Sequence, residues 1–310
     1  MRLKCITLMV KAYIQKIQTK KTAVFNNLFR INLGLTLKTF TIVTATIALY
    51  FQDLSIILYD ALYSEQNFHL LAVLPLFLFL LYRKRKMVQA TAQQKLQYKW
   101  SRNLQTVMGA LLCIISMFIY WYGSYTFIPI EYHMVTLPFF VAGLTLILFN
   151  YNLLRQVIFP IGFLAFLIPP PAEIIYPLGS LLSNISAETS NALANMLGAT
   201  SSLIHEYGNP IVNIIRPDQT VINFTIDIAC SGIYSLIGFA LFGTFIAYVF
   251  RKSLKSKIAI LLTAIPLIII LNIIRITIIL LIGYHYGNQL ALQVFHAFGA
   301  TILMLSLIHI

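Results

Sequence analysis

The chain has 310 residues, of which 59% are hydrophobic and only 10% charged, with a mean hydropathy of +0.83. Ordinary soluble domains carry about 25% charged residues, so the composition excludes a soluble globule and points to an integral membrane protein. The formal charge of +13 would suit nucleic acid or a membrane surface, and its placement along the chain decides between them.

Residues 1–38 are basic and only patchily apolar, without a clear apolar core and cleavage site. They read as a cytoplasmic N-terminal segment, with the first spanning segment serving as an uncleaved targeting signal. Residues 39–310 read as one polytopic membrane domain. Length and apolarity predict eight spans, at roughly 39–59, 67–82, 104–124, 132–150, 156–176, 231–250, 258–283 and 289–309. The second is short, the first carries Asp53, and the fifth contains Pro160 and ends in "IPPPAE", which must break a helix.

Twenty of the 22 Lys and Arg residues fall on one side of this eight-pass chain, in residues 2–38, in "YRKRK" through Arg102, at Arg155 and in "RKSLKSK". The positive-inside rule makes that side cytoplasmic, with both termini inside. Glu65, Glu131, Glu173, Glu188, Glu206, Asp218 and Asp227 fall in or beside the opposite loops. The basic segments therefore face an anionic inner leaflet, and no nucleic-acid partner is expected.

Residues 170–230 form a long outer connection. "AETSNALANMLGATSSLIHEYG" predicts a small extracytoplasmic helix with Leu193, Met196, Leu197 and Leu203 on one side and Gly208 as its stop. "NPIVNIIRPDQTVINFTI" predicts a hairpin around "RPDQ". The fold class is thus an all-α integral membrane protein of about eight transmembrane helices, with a small extracytoplasmic helix plus hairpin between spans five and six. The long connection serves as a lid, a substrate platform or a mere connector.

Cys230, in "IDIACSGIYSL", stands at the outer start of the sixth span. Ser231 is a candidate N-cap, and Gly232 allows close backbone approach. A thiol at a helix N-terminus has a lowered pKa, and the free N–H groups there can serve an oxyanion. Taken alone, this cysteine reads as readily as a small packed hydrophobe. Cys5 and Cys113 are far from it and make no CxxC pair, so neither a disulfide framework nor a thiolate metal site is expected.

Arg275 lies within "PLIIILNIIRITIILLIG", roughly 12 Å from the outer end of its span at 1.5 Å per residue. An arginine there costs about 2.5–3.5 kcal/mol on insertion scales, so it needs a partner or a polar cavity. Asn272 lies one turn away on the same face. His296 is about seven residues into the last span. A lone intramembrane histidine is as often a satisfied core residue as a functional one. His285, His205 and His133 read as outer-side, His69 as a span edge and His309 as terminal.

Cys230, Arg275 and His296 come from three consecutive spans at similar depth. A thiol, an imidazole and a guanidinium that converge can carry acyl transfer: the imidazole takes the thiol proton, the thiolate attacks a carbonyl, and the guanidinium stabilises the oxyanion. Three rival readings stand beside this one. An anion transporter or channel would use Arg275 alone, a haem or quinone protein would need paired histidines on facing helices, and a non-catalytic membrane scaffold would use none of the three for chemistry.

The motifs "ACSGIYSL" (229–236), "NIIRI" (272–276) and "FHAFG" (295–299) resemble, in this order, those of the exosortase/archaeosortase family of multi-pass membrane cysteine transpeptidases. The resemblance extends upstream through "RQVIFPIGFLAFLIPPP" (155–171) and "EYGNPIV" (206–212). It implies Cys230 as nucleophile, Arg275 as catalytic arginine and His296 at the third position, with Ser231, Gly232 and Asn272 supporting. Many members carry an acidic residue two before the cysteine; here Ile228 stands there with Asp227 beside it, and no role follows for that position. The implied substrates are secreted proteins with a C-terminal tripartite sorting signal of short motif, apolar helix and basic tail, cut on the outer face of the cell membrane. A lipid is one implied acceptor for the acyl group. No metal or cofactor is implied.

Overall fold

The computed structural model describes residues 2–64, 67–92, 99–206, 208–250 and 253–299, and leaves the side chains of residues 2–32, 99–101, 254, 260, 264 and 296–299 undescribed. Among the described residues the helices are α1 (Arg2–Tyr63), α2 (Val73–Ala92), α3 (Lys99–Tyr125), α4 (Ile130–His133), α5 (Thr136–Leu148), α6 (Tyr151–Phe163), α7 (Ala172–Met196), α8 (Ile233–Val249), α9 (Leu254–Tyr286) and α10 (Asn288–Gly299). One antiparallel sheet, in the order β1-β2-β3, contains β1 (Thr200–Glu206), β2 (Asn209–Ile215) and β3 (Val221–Thr225).

Four stretches are long and apolar enough to cross a bilayer: Leu33–Tyr63, Arg102–Tyr125, Ile130–Leu148 and Lys255–Tyr286. A fifth is added if Tyr151–Leu167 and Ala172–Met196 count as one broken span. Only part of the expected eight is therefore present. The apolar part of α2 is cut short by Arg83–Lys86. With 17 residues, α8 reaches about 26 Å, less than the roughly 30 Å of a hydrocarbon core. The eighth expected span continues beyond the described residues. The expected break after the fifth span is present: α6 gives way to a 3-10 turn at Leu164–Leu167, and helix resumes only after Pro171.

The chain divides into two compact units, Met1–Ile56 with Phe77–Ile168, and Ile57–Leu76 with Pro169–Ile310. In the first unit, Asp53 on α1 meets His133 on α4, with carboxylate Oδ2 2.8 Å from imidazole Nε2. Both residues are buried, so the acidic residue found inside the first span has a partner. Around them the Tyr50 ring packs 4.5 Å from Tyr120 and 5.9 Å from Phe140, and the Tyr50 hydroxyl bonds to Thr136 Oγ1 at 2.8 Å. The helix bends at Tyr50 (φ −101°, ψ 17°).

In the second unit, the sheet, α7 and α9 share one core of Ala187, Ala194, Ala199, Val212, Ile214, Ile226, Ile276 and Leu280. Here the structure corrects the sequence expectation. The predicted small extracytoplasmic helix is the C-terminal half of α7, a 25-residue helix that ends at Met196. Its stop is Gly198 (φ +92°), not Gly208. The Gly198 N–H bonds to the Asn195 carbonyl and the Ala199 N–H to the Ala194 carbonyl, which is the Schellman pattern. Residues 200–206 then leave as β1, and Gly208 (φ +81°) sits in the turn to β2.

The predicted apolar face also fails, since Met196 is 83% and Leu197 63% exposed. The buried stripe is Gly179, Ser183, Ser186, Ala187, Ser190 and Ala194, spaced so that small residues face α9 and the sheet. Small side chains let backbones approach, which favours close helix packing where water provides no driving force. The predicted hairpin is present as β2 and β3 around Arg216–Thr220.

Removing one member of the Asp53–His133 pair leaves the other buried and unpaired, which costs about 3–5 kcal/mol. Asp53→Ala should therefore lower the thermal midpoint of the detergent-solubilised protein clearly. Asp53→Leu combined with His133→Phe should restore much of the loss. Additive losses in the double variant would refute the coupling.

Candidate active site

β3 runs into a 3-10 turn at Ile228–Cys230, and the turn is fixed by its own sequence. The Asp227 carboxylate caps it, with Oδ1 accepting from the Cys230 N–H at 3.0 Å. Helix α8 begins only at Ile233, three residues past Cys230, so the thiol does not sit in the first turn of a helix as the sequence suggested. The N-cap of α8 is Gly232 rather than Ser231. Buried Ser231 still serves the helix start: its Oγ accepts from the Ile233 N–H at 3.2 Å and donates to the Ile228 carbonyl at 2.7 Å. Gly232 has φ +87°, and a Cβ there would lie 3.2 Å from Asn272 Cγ. Conformation and close approach both call for glycine.

Asn272 ties the cysteine turn to α9. It is fully buried, and its Nδ2 donates to the Cys230 carbonyl at 3.0 Å and to Ser186 Oγ at 3.2 Å. Ser186 has two neighbours on the same stripe of α7. Ser190 Oγ donates to the Ile273 carbonyl at 3.1 Å, and Ser183 Oγ to the Ile226 carbonyl. Three serines about one turn apart thus hold both the segment leading into Cys230 and the turn of α9 that precedes Arg275. Buried donors and acceptors must find partners, so each bond fixes position as well as contributing energy.

Arg275 lies half-buried one turn beyond Asn272 and is electrostatically coupled to Cys230. Its guanidinium carbon lies 5.7 Å from the ring centroid of Phe295 on α10. Arg275 Nε and Asn272 Oδ1 are both buried with no hydrogen-bond partner among the described residues. A guanidinium with an unused donor beside a thiol can accept a developing negative charge. Among the described residues no group of three His, Cys, Asp or Glu side chains could hold a metal ion.

Two of the three expected catalytic groups are thus brought together, with all three supporting residues around them. His296 directly follows Phe295 in α10, and its side chain lies outside the described residues. The other histidines have different surroundings: His205 and His285 are exposed, His133 pairs with Asp53, His69 is buried in the 3-10 turn Phe68–Ala72, and His309 lies outside the described residues.

The electrostatics reverse one expectation. Burial pushes the Cys230 thiol up to about 12, the Asp227 carboxylate adds to the rise, and the Arg275 guanidinium offsets part of it. Without a helix N-terminus at the sulfur, desolvation of the thiolate dominates. At neutral pH this arrangement holds a protonated thiol, and nucleophilic use of it requires a base. Sequence reasoning missed Asp227 and the α7 serines. The serines did leave a signal, as small residues at intervals of three and four along 179–194.

A model of the transmembrane exosortase family matches residues 60–310. The chain belongs to that family. Exosortases are, at family level, membrane-embedded sorting transpeptidases of the cysteine type. No curated protein and no solved structure matches the chain. The matched region contains the whole Cys230–Asn272–Arg275 cluster and all of α7.

Replacing Asp227 by Asn keeps an oxygen for the Cys230 N–H and removes the charge that disfavours the thiolate. In a Cys5→Ala, Cys113→Ala background, Asp227→Asn should speed iodoacetamide alkylation of Cys230 at pH 8 several-fold, because the thiolate is the reactive form. An unchanged or slower rate would contradict this reading of the thiol.

Proposed function

We propose that this exosortase removes C-terminal sorting signals from secreted proteins at the outer boundary of the membrane, with Cys230 as nucleophile, Arg275 as oxyanion partner and His296 as general base. The observation that carries the proposal is the shared cluster of Cys230, Asn272 and Arg275, in which the thiol and an arginine with a buried, unpartnered Nε are coupled. An arginine serving only an anion path would not need a cysteine turn anchored to its own helix.

The chemistry has two redox-neutral steps. The Cys230 S–H gives its proton to the His296 imidazole, and the sulfur attacks the scissile carbonyl carbon while negative charge gathers on the carbonyl oxygen beside Arg275. The C–N bond then breaks, and the imidazolium proton passes to the leaving amine of the tail. A thioester remains on Cys230. In the second step an acceptor amine, hydroxyl or water attacks the thioester carbon, the C–S bond breaks, and the proton returns to the thiol. The high resting position of the thiol makes the base essential, since almost no thiolate is present at neutral pH without it. The charge map supports both termini on the cytoplasmic side, and family membership suggests a lipid-linked group among the acceptors.

The test is co-expression with a secreted reporter carrying the C-terminal motif, apolar helix and basic tail of a protein from the same genome. Cys230→Ser, Arg275→Ala and His296→Ala should each reduce tail removal by at least 100-fold while the enzyme remains in the membrane. Unchanged processing by Cys230→Ser would refute the mechanism. Loss with Arg275→Ala but not with Cys230→Ser would favour the anion-path reading.

A further inference from the structure

The sheet has two edges, and they are unlike. Pairing at both ends of the β2–β3 ladder fixes which way each β3 backbone group points. The Ile226 N–H bonds to the Pro210 carbonyl at 2.9 Å and the Arg216 N–H to the Thr220 carbonyl at 2.9 Å. With partners Val212↔Phe224 and Ile214↔Ile222 between them, residues 220, 222, 224 and 226 face β2. The N–H and C=O groups of Val221, Asn223 and Thr225 therefore face away from the sheet. Among the described residues none of these six groups is hydrogen-bonded.

The other edge is closed where it begins. On β1, Ser201 is an outward-facing position, and Asn195 of α7 takes both of its backbone groups: the Ser201 N–H donates to Asn195 Oδ1 at 2.9 Å, and Asn195 Nδ2 donates to the Ser201 carbonyl at 3.0 Å. β3 has no such cap. Its side chains show the same openness. Val221, Asn223 and Thr225 are exposed, while Ile222 and Phe224 are half-buried, Phe224 against the core shared with α9. Natural sheets usually shield an edge with charge, proline or a bulge. β3, "VINFT", has none of these.

The open edge also leads to the thiol. Cys230 lies five residues beyond Thr225, a reach of at most about 18 Å at 3.6 Å per residue. We propose that β3 is the substrate-binding strand: the extended segment of the secreted substrate just N-terminal to its scissile bond adds to the sheet along Val221, Asn223 and Thr225. It runs parallel to β3, so that its carbonyl arrives at Cys230 as β3 itself does. The opposite direction would lay the part after the scissile bond along β3, and that part leads into an apolar helix that cannot remain extended. Strand addition of this kind takes affinity from main-chain bonds and is sensitive to the peptide at every second residue. The inference rests on Cys230 being the nucleophile, and it deepens that reading by saying what delivers the substrate.

Proline tests the pairing directly, because it removes one N–H and is tolerated on strand edges. Asn223→Pro removes an outward donor and no ladder bond. With the tailed reporter it should reduce processing at least tenfold while full-length enzyme stays folded in the membrane. His205→Pro, at an outward position of the opposite edge, should leave processing within twofold. Single prolines placed at each of six reporter positions before the cleavage site should impair processing at alternate positions. Asn223→Pro folded and processing within twofold, or prolines acting uniformly or not at all, would overturn the proposal while Cys230→Ser remained inactive. If Asn223→Pro fails to fold, the reporter scan decides by the same criterion. Processing that survives Cys230→Ser refutes the nucleophile assignment instead.

Discussion

Asn272 is fully buried, and its Nδ2 has two hydrogen-bond partners, the Cys230 carbonyl and Ser186. That single amide joins three segments distant in sequence: the turn after β3, helix α7 and helix α9. Leaving an amide unpaired in such a setting costs several kcal/mol by transfer estimates. The three segments are therefore held in an arrangement that supplies both acceptors to its Nδ2. The coupling of Cys230 to Arg275 follows, because Arg275 sits one helical turn from Asn272. Gly232 follows too, since any larger residue there would strike the Asn272 side chain.

The same cluster shows a division between holding and reacting. Ser183, Ser190 and Asn272 Nδ2 are all occupied, whereas Asn272 Oδ1 and Arg275 Nε are not. Groups that position the backbone are occupied, and two polar atoms of the same cluster are left with capacity. A buried polar atom with no partner is costly, and a catalytic role is one of the reasons such an atom is retained. The thiol follows the same rule. Its burial and the Asp227 charge keep it protonated, and a protonated thiol is slow to alkylate or oxidise.

Cys230, Arg275 and Asn272 were legible in the sequence because each breaks a pattern: a polar group in an apolar run has few uses. The hairpin was legible from its turn residues. The α7 helix was not read correctly, for a physical reason. Hydrophobic periodicity finds the buried face of a helix in water, but in a membrane protein the buried face is the one with small residues. Met196 and Leu197 were expected on the apolar side and are exposed, while Ser183, Ser186 and Ser190 form the seam. Nor could sequence show that Gly198, rather than Gly208, ends that helix, because both stand where a left-handed residue fits. The Schellman bonds at Gly198 decide it.

At the far end of the sheet, Arg216 in the β2–β3 turn donates from Nε to the Tyr284 carbonyl in the last turn of α9 at 3.3 Å, and from Nη1 to Asp218 at 2.7 Å. A cation placed on a helix C-terminus is favoured by the helix dipole. The hairpin is thus riveted to the top of α9, while Asn272 anchors the cysteine turn lower on the same helix. Strand and arginine helix form one stiff lever with two fixings. The strand between those two points is held at both ends, so a polypeptide meets its edge as a fixed template.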